Sequence, residues 1–260
     1  VVFTLLVISA AFAPLLAPYN PYIGNMEDSL QQPSAKYLLG TDIQGRDTLS
    51  RIIYGARTVI QVGFITVIIG AAIGFSLGMI AGYFEGPVSM VILRVMDALM
   101  SFPMLILALL LSAVLGGGIQ NVIIALTIAT IPGNARVMNG LVLTTKQNDY
   151  ILAGRSMGTS TLRLMLSHIL PNSLPPMIVL ITLQLGGIIM AEAALSFLGI
   201  GIKPPGAAWG AMVNDGYKYL RDYPMLSFAP GVAIMLVVFA FNMLGDGLRD
   251  ALDPRLRGLL

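Results

Sequence analysis

Residues 59–83 read VIQVGFITVIIGAAIGFSLGMIAGY, a run of 25 positions without a charged side chain. As an α-helix rising 1.5 Å per residue, such a run spans about 37 Å, more than the roughly 30 Å hydrocarbon core of a bilayer. A surface helix of a soluble domain would carry a charged face at helical spacing, and none is present. The run therefore reads as a membrane span. Within it Gly70, Gly74, Gly78 and Gly82 recur every four residues, placing small residues along one helical stripe. Such a stripe lets a neighbouring backbone approach closely and reads as a packing surface.

Composition extends this reading to the whole chain. Of 260 residues, 56% are hydrophobic and 11% charged, with a mean hydropathy of +0.83. A soluble domain carries roughly a quarter of its residues as charges, so much of this surface faces lipid. At about 20 residues per span, the length accommodates six spans and little else. The net charge of +2, with no basic run, offers no surface for nucleic acid. No cysteine is present, which excludes disulfides and thiolate chemistry, and the single His168 excludes a histidine-rich metal site. His168, beside a proline-rich stretch, reads as a surface or interface residue. No carboxylate pair, Gly-x-Ser-x-Gly or Walker-type loop occurs. The chain is expected to be no enzyme and to bind no metal or cofactor of its own.

Apolar runs bounded by charge, proline and glycine lay out six spans. The first is 1–18. The sequence opens at Val1 inside it and reads as a span with an incomplete N-terminus; a cleavable signal peptide, the rival reading, would need a basic leading region. A polar segment, 19–57, follows. The other spans are about 59–83, 90–115, 121–137, 177–200 and 226–244, with Gly116-Gly117-Gly118 as a tight turn and a charged tail at 248–260. Arg94 and Asp97, three apart near the start of the third span, are expected to pair on one helix face. An even number of spans puts both ends on one side. Lys and Arg divide eight against seven between the two sets of loops, so charge alone does not orient the chain.

Between the fourth and fifth spans, residues 148–172 read NDYILAGRSMGTSTLRLMLSHILPN. Asn148 or Asp149 can cap a helix of about two turns from Tyr150 to Met157, which Gly158 is placed to end in a left-handed conformation. Thr159 or Ser160 can cap a second helix, with Pro171, Pro175 and Pro176 expected to separate it from the fifth span. From the residues alone, this is either a docking element or an amphipathic loop on the membrane surface.

The stretch resembles the cytoplasmic loop of type I ABC importer permeases: Glu-Ala-Ala, three residues, Gly, and later an apolar-x-Leu-Pro ending. Leu152-Ala153-Gly154, Gly158 and His168-Ile169-Leu170-Pro171 occupy those positions, with Leu152 in place of the glutamate and Gly154 in place of the second alanine. Leu39-Gly40-Thr41-Asp42-Ile43-Gln44-Gly45-Arg46-Asp47 with Ser50-Arg51 resembles a stretch of the C-type permease of dipeptide, oligopeptide and nickel importers. So do Ala194–Gly199, Trp209-Gly210 and the tail from Gly245 to Arg255. The likeness runs from about Pro18 onwards.

The resemblance implies an all-α membrane protein: a six-transmembrane-helix type I ABC importer permease with a cytoplasmic coupling helix, in a prokaryotic cytoplasmic (inner) membrane. It implies that 19–57 is extracytoplasmic, 58–247 the transmembrane domain and 248–260 a cytoplasmic tail. Implied partners are a second homologous permease, two ATP-binding subunits carrying ATP and Mg, and an extracytoplasmic substrate-binding protein. The implied coupling loop comprises Asp149, Tyr150, Leu152, Ala153, Gly154, Arg155, Met157 and Gly158, closed by Ile169, Leu170 and Pro171. Di- or oligopeptides are the implied cargo, with nickel or a metal chelate as the alternative; a stand-alone secondary transporter or channel is the rival from another class.

Two further groups stand out in the sequence. Asp42, Arg46, Asp47 and Arg51 carry opposite charges at near-helical spacing, which suits a self-satisfied structured cap, a contact for the binding protein, or both. Glu192 is an acid within an apolar span and is expected to face inward, lining the route or holding helices together. Its Glu192-Ala193-Ala194 run is a decoy for the loop motif, because the next glycine, Gly199, follows at the wrong distance.

Overall fold

The computed structural model describes residues 2–252; Val1 and the end of the charged tail, including Asp253-Pro254-Arg255 and Arg257, lie outside them. Its elements are helices: α1 Val2–Ala11, α2 Ala13–Leu16, α3 Thr48–Tyr83, α4 Pro87–Met100, α5 Met104–Leu115, α6 Ile119–Thr145, α7 Asp149–Ser156, α8 Thr161–Leu164, α9 Leu170–Phe197, α10 Trp209–Tyr217 and α11 Met225–Leu252. Among the described residues the only β pairing is an isolated bridge between Thr41 and Asp47. Helices dominate because lipid offers no partner for free backbone groups, and a helix satisfies its own.

Four helical stretches are long and apolar enough to cross a membrane: 48–83, 119–145, 161–197 and 225–252. The expected span over 90–115 is instead the pair α4 and α5, bent by 86° at Ser101-Phe102-Pro103 and counting as a fifth if taken together. Pro103 supplies the break: it donates no amide hydrogen bond, and it disfavours helical geometry at Phe102. The remaining apolar run contributes α1, ten residues long. Four or five of the six expected spans thus have a helix long enough to cross, and α1 is shorter than a membrane span.

The described residues form two compact units: 2–66 with 108–126 and 185–242, and 67–107 with 127–184 and 243–252. In the first unit, α3 begins at Thr48, eleven residues before the apolar run. Asp47 starts it, accepting hydrogen bonds from the Ser50 amide (2.8 Å) and hydroxyl (2.6 Å), which satisfies a donor that every helix N-terminus leaves free. Arg57 reaches back from α3 to the end of α1, donating to the Ala10 carbonyl at 2.6 Å. Trp209 on α10 donates its indole N–H to the Ile52 carbonyl at 3.0 Å, and Gly55 leaves room for the ring.

In the second unit, the glycine stripe of α3 meets α6. A Cβ on Gly74 would stand 2.5 Å from the Asn134 Cβ, and one on Gly82 would stand 2.7 Å from the Val142 Cβ. One on Gly78 would run into the Ala135 carbonyl oxygen. The two backbones therefore touch with no α3 side chain between them, as small-residue stripes permit. Gly78→Val is expected to cost about 1–3 kcal/mol through overpacking. Thermal unfolding in detergent, followed by size-exclusion chromatography, should show a clear loss of melting temperature; an unchanged value would contradict the contact.

Candidate functional site

α7 and the chain that follows it form the best-defined site in the second unit. Asn148 is extended (φ −69°, ψ 142°) and stands at the N-cap without a side-chain cap bond; its carbonyl accepts from the amides of Ile151 and Leu152. Asp149 in the first turn and Arg155 in the last oppose the ends of the helix dipole. Termination follows the expected route. Gly158 takes φ +77°, its amide donates to the Arg155 carbonyl at 2.9 Å, and the Thr159 amide donates to Gly154 at 3.0 Å. This is the Schellman arrangement, and it requires a residue that tolerates left-handed geometry.

The helix has two faces. Ile151 is fully buried in a cluster with Tyr83, Met138, Val142, Leu164, Met165, Ile169 and Met177. Gly154 is buried as well; a Cβ there would come within 3.0 Å of Leu164 Cδ2, so glycine gives the loop a closer seat than alanine would. Tyr150, Leu152, Ala153 and Met157 point outward, Met157 with 80% of its surface exposed. Arg155 lies over the Tyr83 ring, 5.1 Å from its centroid, a favourable cation–π placement.

Beyond Ser160 the chain enters a continuous helical stretch, and here the sequence expectation fails. Pro171, Pro175 and Pro176 do not separate the loop helix from the fifth span: α8 runs through a π turn at Met165–Ile169 directly into α9. The wider register of the π turn, in which the Leu170 amide donates to Met165 five residues back, seats Pro171 without the clash that a regular turn imposes. Asn172 and Ser173 then donate side-chain bonds to the His168 (2.6 Å) and Ile169 (2.9 Å) carbonyls. Ile169 is buried, Leu170 half-buried and Pro171 exposed.

Two ion pairs that the sequence did not reveal lie in the same unit. Lys146, largely buried, donates to Glu85 Oε1 at 2.6 Å and to the Gly82 carbonyl at 2.9 Å. Glu85 lies in the link between α3 and α4 and Lys146 just past the end of α6, 61 positions apart. The expected Arg94–Asp97 pair is not formed; Asp97 pairs with Arg136 on α6, because Arg136 lies within its reach from the neighbouring helix.

The other sequence candidates belong to the first unit and are not brought to this site. Asp42, Arg46, Asp47 and Arg51 are all buried. Residues 42–47 form a tight loop and no helix: Asp42 accepts from the Arg46 guanidinium at 2.6 Å, from the Gln44 and Arg46 amides, and stands 3.5 Å from Arg51. Their side chains are thus spent on the cap itself, and only its outer residues can meet another protein. Glu192 is 2% exposed and accepts a 2.6 Å bond from Ser196, whose hydroxyl also accepts from the Ile202 amide. It is buried and tied to the end of its own helix.

Residues 74–258 match the family described as binding-protein-dependent transport system inner membrane component. The chain belongs to this family: it is the membrane-spanning permease component of a binding-protein-dependent ABC importer of the bacterial inner membrane, and it is not itself an enzyme. Over 257 residues it is 42% identical to the dipeptide transport system permease protein DppC of Alkalihalophilus pseudofirmus, covering 99% of this chain and 84% of that protein. Identity is 44% over 255 residues to the glutathione transport system permease protein GsiD of Escherichia coli, covering 98% and 84%. Among solved structures, the fold is similar to that of the inward-facing MetNI methionine ABC transporter, with TM-score 0.65 and 19% identity over 79% of this chain and 97% of that one.

The Lys146–Glu85 pair gives a pH test. The hydrogen bond from Lys146, and then its charge, hold the Glu85 carboxyl below the usual glutamate range. Such a group contributes stability that is present above the unfolded carboxyl pKa and lost as pH falls through the lowered folded value. Melting temperature should therefore drop as pH falls below the ordinary carboxyl range, and Glu85→Gln should lie below wild type at neutral pH and respond less to acid. Superimposable pH profiles would contradict the assignment.

Proposed function

We propose that this permease carries di- or oligopeptides, glutathione-like tripeptides included, and that α7 is the element through which an ATPase subunit drives it. The observation that carries the docking assignment is the two-faced α7. Ile151 and Gly154 fix the helix to the body of its unit, while Tyr150, Leu152, Ala153 and Met157 leave an apolar face uncovered. An apolar face of this kind on a short helix between spans suits a groove on a partner protein. Leu152 stands where the family motif carries glutamate, so the contact here is apolar where others have a carboxylate.

In this reading both chain ends and the loop containing α7 are cytoplasmic. The cap built on Asp42 faces the other side and meets the binding protein through its outer surface. A second, homologous permease and two ATP-binding subunits complete the assembly, with ATP and Mg held by the latter. ATP favours the closed state of the ATPase pair, and that difference in affinity biases the permease between its states. Glu192 holds the end of α9 rather than contacting cargo. The peptide assignment draws on the relatives named for dipeptide and glutathione transport.

Ala153→Arg places a long charged side chain on the outward face of α7 and leaves the buried face untouched. Co-purification from detergent with the cognate ATPase subunits should be lost, with the elution profile and melting temperature of the permease unchanged. Retention of the ATPase by a well-folded variant would remove the docking assignment.

A further inference from the structure

The Asp97–Arg136 pair is unlike the other ion pairs that tie helices together. The Asp42 pairs are buried, and the Lys146–Glu85 pair keeps a largely buried lysine against an exposed glutamate, whereas neither member of the Asp97–Arg136 pair is buried, the side chains being 42% and 51% exposed. A half-exposed pair adds little to stability. Ionisable groups on membrane helices face the bundle interior or a water-filled route, because contact with lipid is costly.

The stretch of α6 around Arg136 shows which of these applies. α6 is the most enclosed of the long helices, and beyond Pro132 its exposed residues, Arg136, Val137, Gly140, Leu143 and Thr144, lie three or four apart along one stripe, with Gly133 half-buried in line with them. Nothing lies within 4 Å of where a Cβ on Gly133 or Gly140 would sit. A stripe suited to lipid looks different: on α11 the exposed residues from Phe228 to Phe239 are Phe228, Val232, Met235, Leu236 and Phe239, all apolar and bulky. The α6 stripe mixes Arg136, Gly140 and Thr144 with the apolar Val137 and Leu143, a surface less apolar than that of α11 and suited to water and a passing solute.

We propose that the Asp97–Arg136 pair is a gate on the substrate route: made, it closes the route beside α6; broken, as α4 leaves α6, it opens it. The proposal rests on the importer reading above. α4 is suited to the motion, since it is short and turns 86° from α5 at Pro103. Arg136 lies nine residues from the end of α6 at Thr145, about 14 Å along the helix, and α7 follows within a few residues. A displacement of α7 by the ATPase thus reaches the pair through one rigid element.

The chain has no cysteine, so thiol chemistry can be placed at will. The test uses the complete importer reconstituted in proteoliposomes, carrying either Asp97→Cys with Arg136→Cys, or Val137→Cys alone. Oxidation of the double variant should abolish ATP-driven uptake of a labelled dipeptide, with the ATPase subunits still bound, and reduction should restore it. Val137→Cys should react with a membrane-impermeant thiol reagent added from the α7 side, and its rate should change with ATP turnover, whereas Phe239→Cys stays inert. Normal uptake by the cross-linked protein, failure of the cross-link to form, or a Val137→Cys as inert as Phe239→Cys would each overturn the gate. Absence of peptide uptake by the unmodified assembly, with Val137→Cys still reactive, would count against the peptide reading and leave the water-lined route supported.

Discussion

Direct backbone contact between α3 and α6 is the constraint from which the second unit is built. Gly70, Gly74, Gly78 and Gly82 remove every side chain from one face of α3, so Thr130, Asn134, Ala135, Met138 and Val142 of α6 press against bare backbone. In lipid there is no hydrophobic drive to hold two helices together, and close packing must supply the attraction. That contact brings Tyr83 beside Met138 and Val142, and these three residues form part of the cluster into which Ile151 inserts. The seat of α7 is thus a consequence of glycines several turns away.

A docking helix must be firmly held on one side and free on the other. Firmness comes from Ile151 and Gly154, from the Schellman turn at Gly158, and from Arg155 over Tyr83. The continuity of α8, the π turn and α9 adds a stiff connection, so motion of the loop has little slack before it reaches a membrane helix. α6 offers a second such lever, with Arg136 on its open stripe and α7 just beyond its end. The Asp42 cap has the opposite character. It binds its charges internally, two arginines on one aspartate, with the buried Asp47 held by the Ser50 amide and hydroxyl.

Much of this was legible in the sequence, because local rules governed it. Uncharged runs located the spans, spacing by four located the glycine stripe, and a lone glycine after two turns located the end of α7. What escaped was non-local or depended on competition between rules. Three prolines read as breakers, yet a π turn accommodates the first of them and the helix continues. Asp97 had Arg94 on its own helix, and the partner it takes is on α6, 39 residues away. Opposite charges at near-helical spacing over 42–51 suited a structured cap, but not its form: Gly45 turns the chain with φ +70° and residues 42–47 make a loop ahead of α3. The residues proposed for docking came from a motif in which two of three positions differ, and their two-faced burial appears only in three dimensions.

The central claim is that this chain moves solute only under the drive of a separate ATPase. Proteoliposomes containing the permease pair, with and without the ATP-binding subunits, test it directly when loaded with ATP and supplied with binding protein and labelled dipeptide. Uptake that appears only with the ATP-binding subunits and stops when their ATP is replaced by a non-hydrolysable analogue is the predicted result. Sustained accumulation by the permease alone, driven by an ion gradient, would contradict the account and make the chain a secondary transporter.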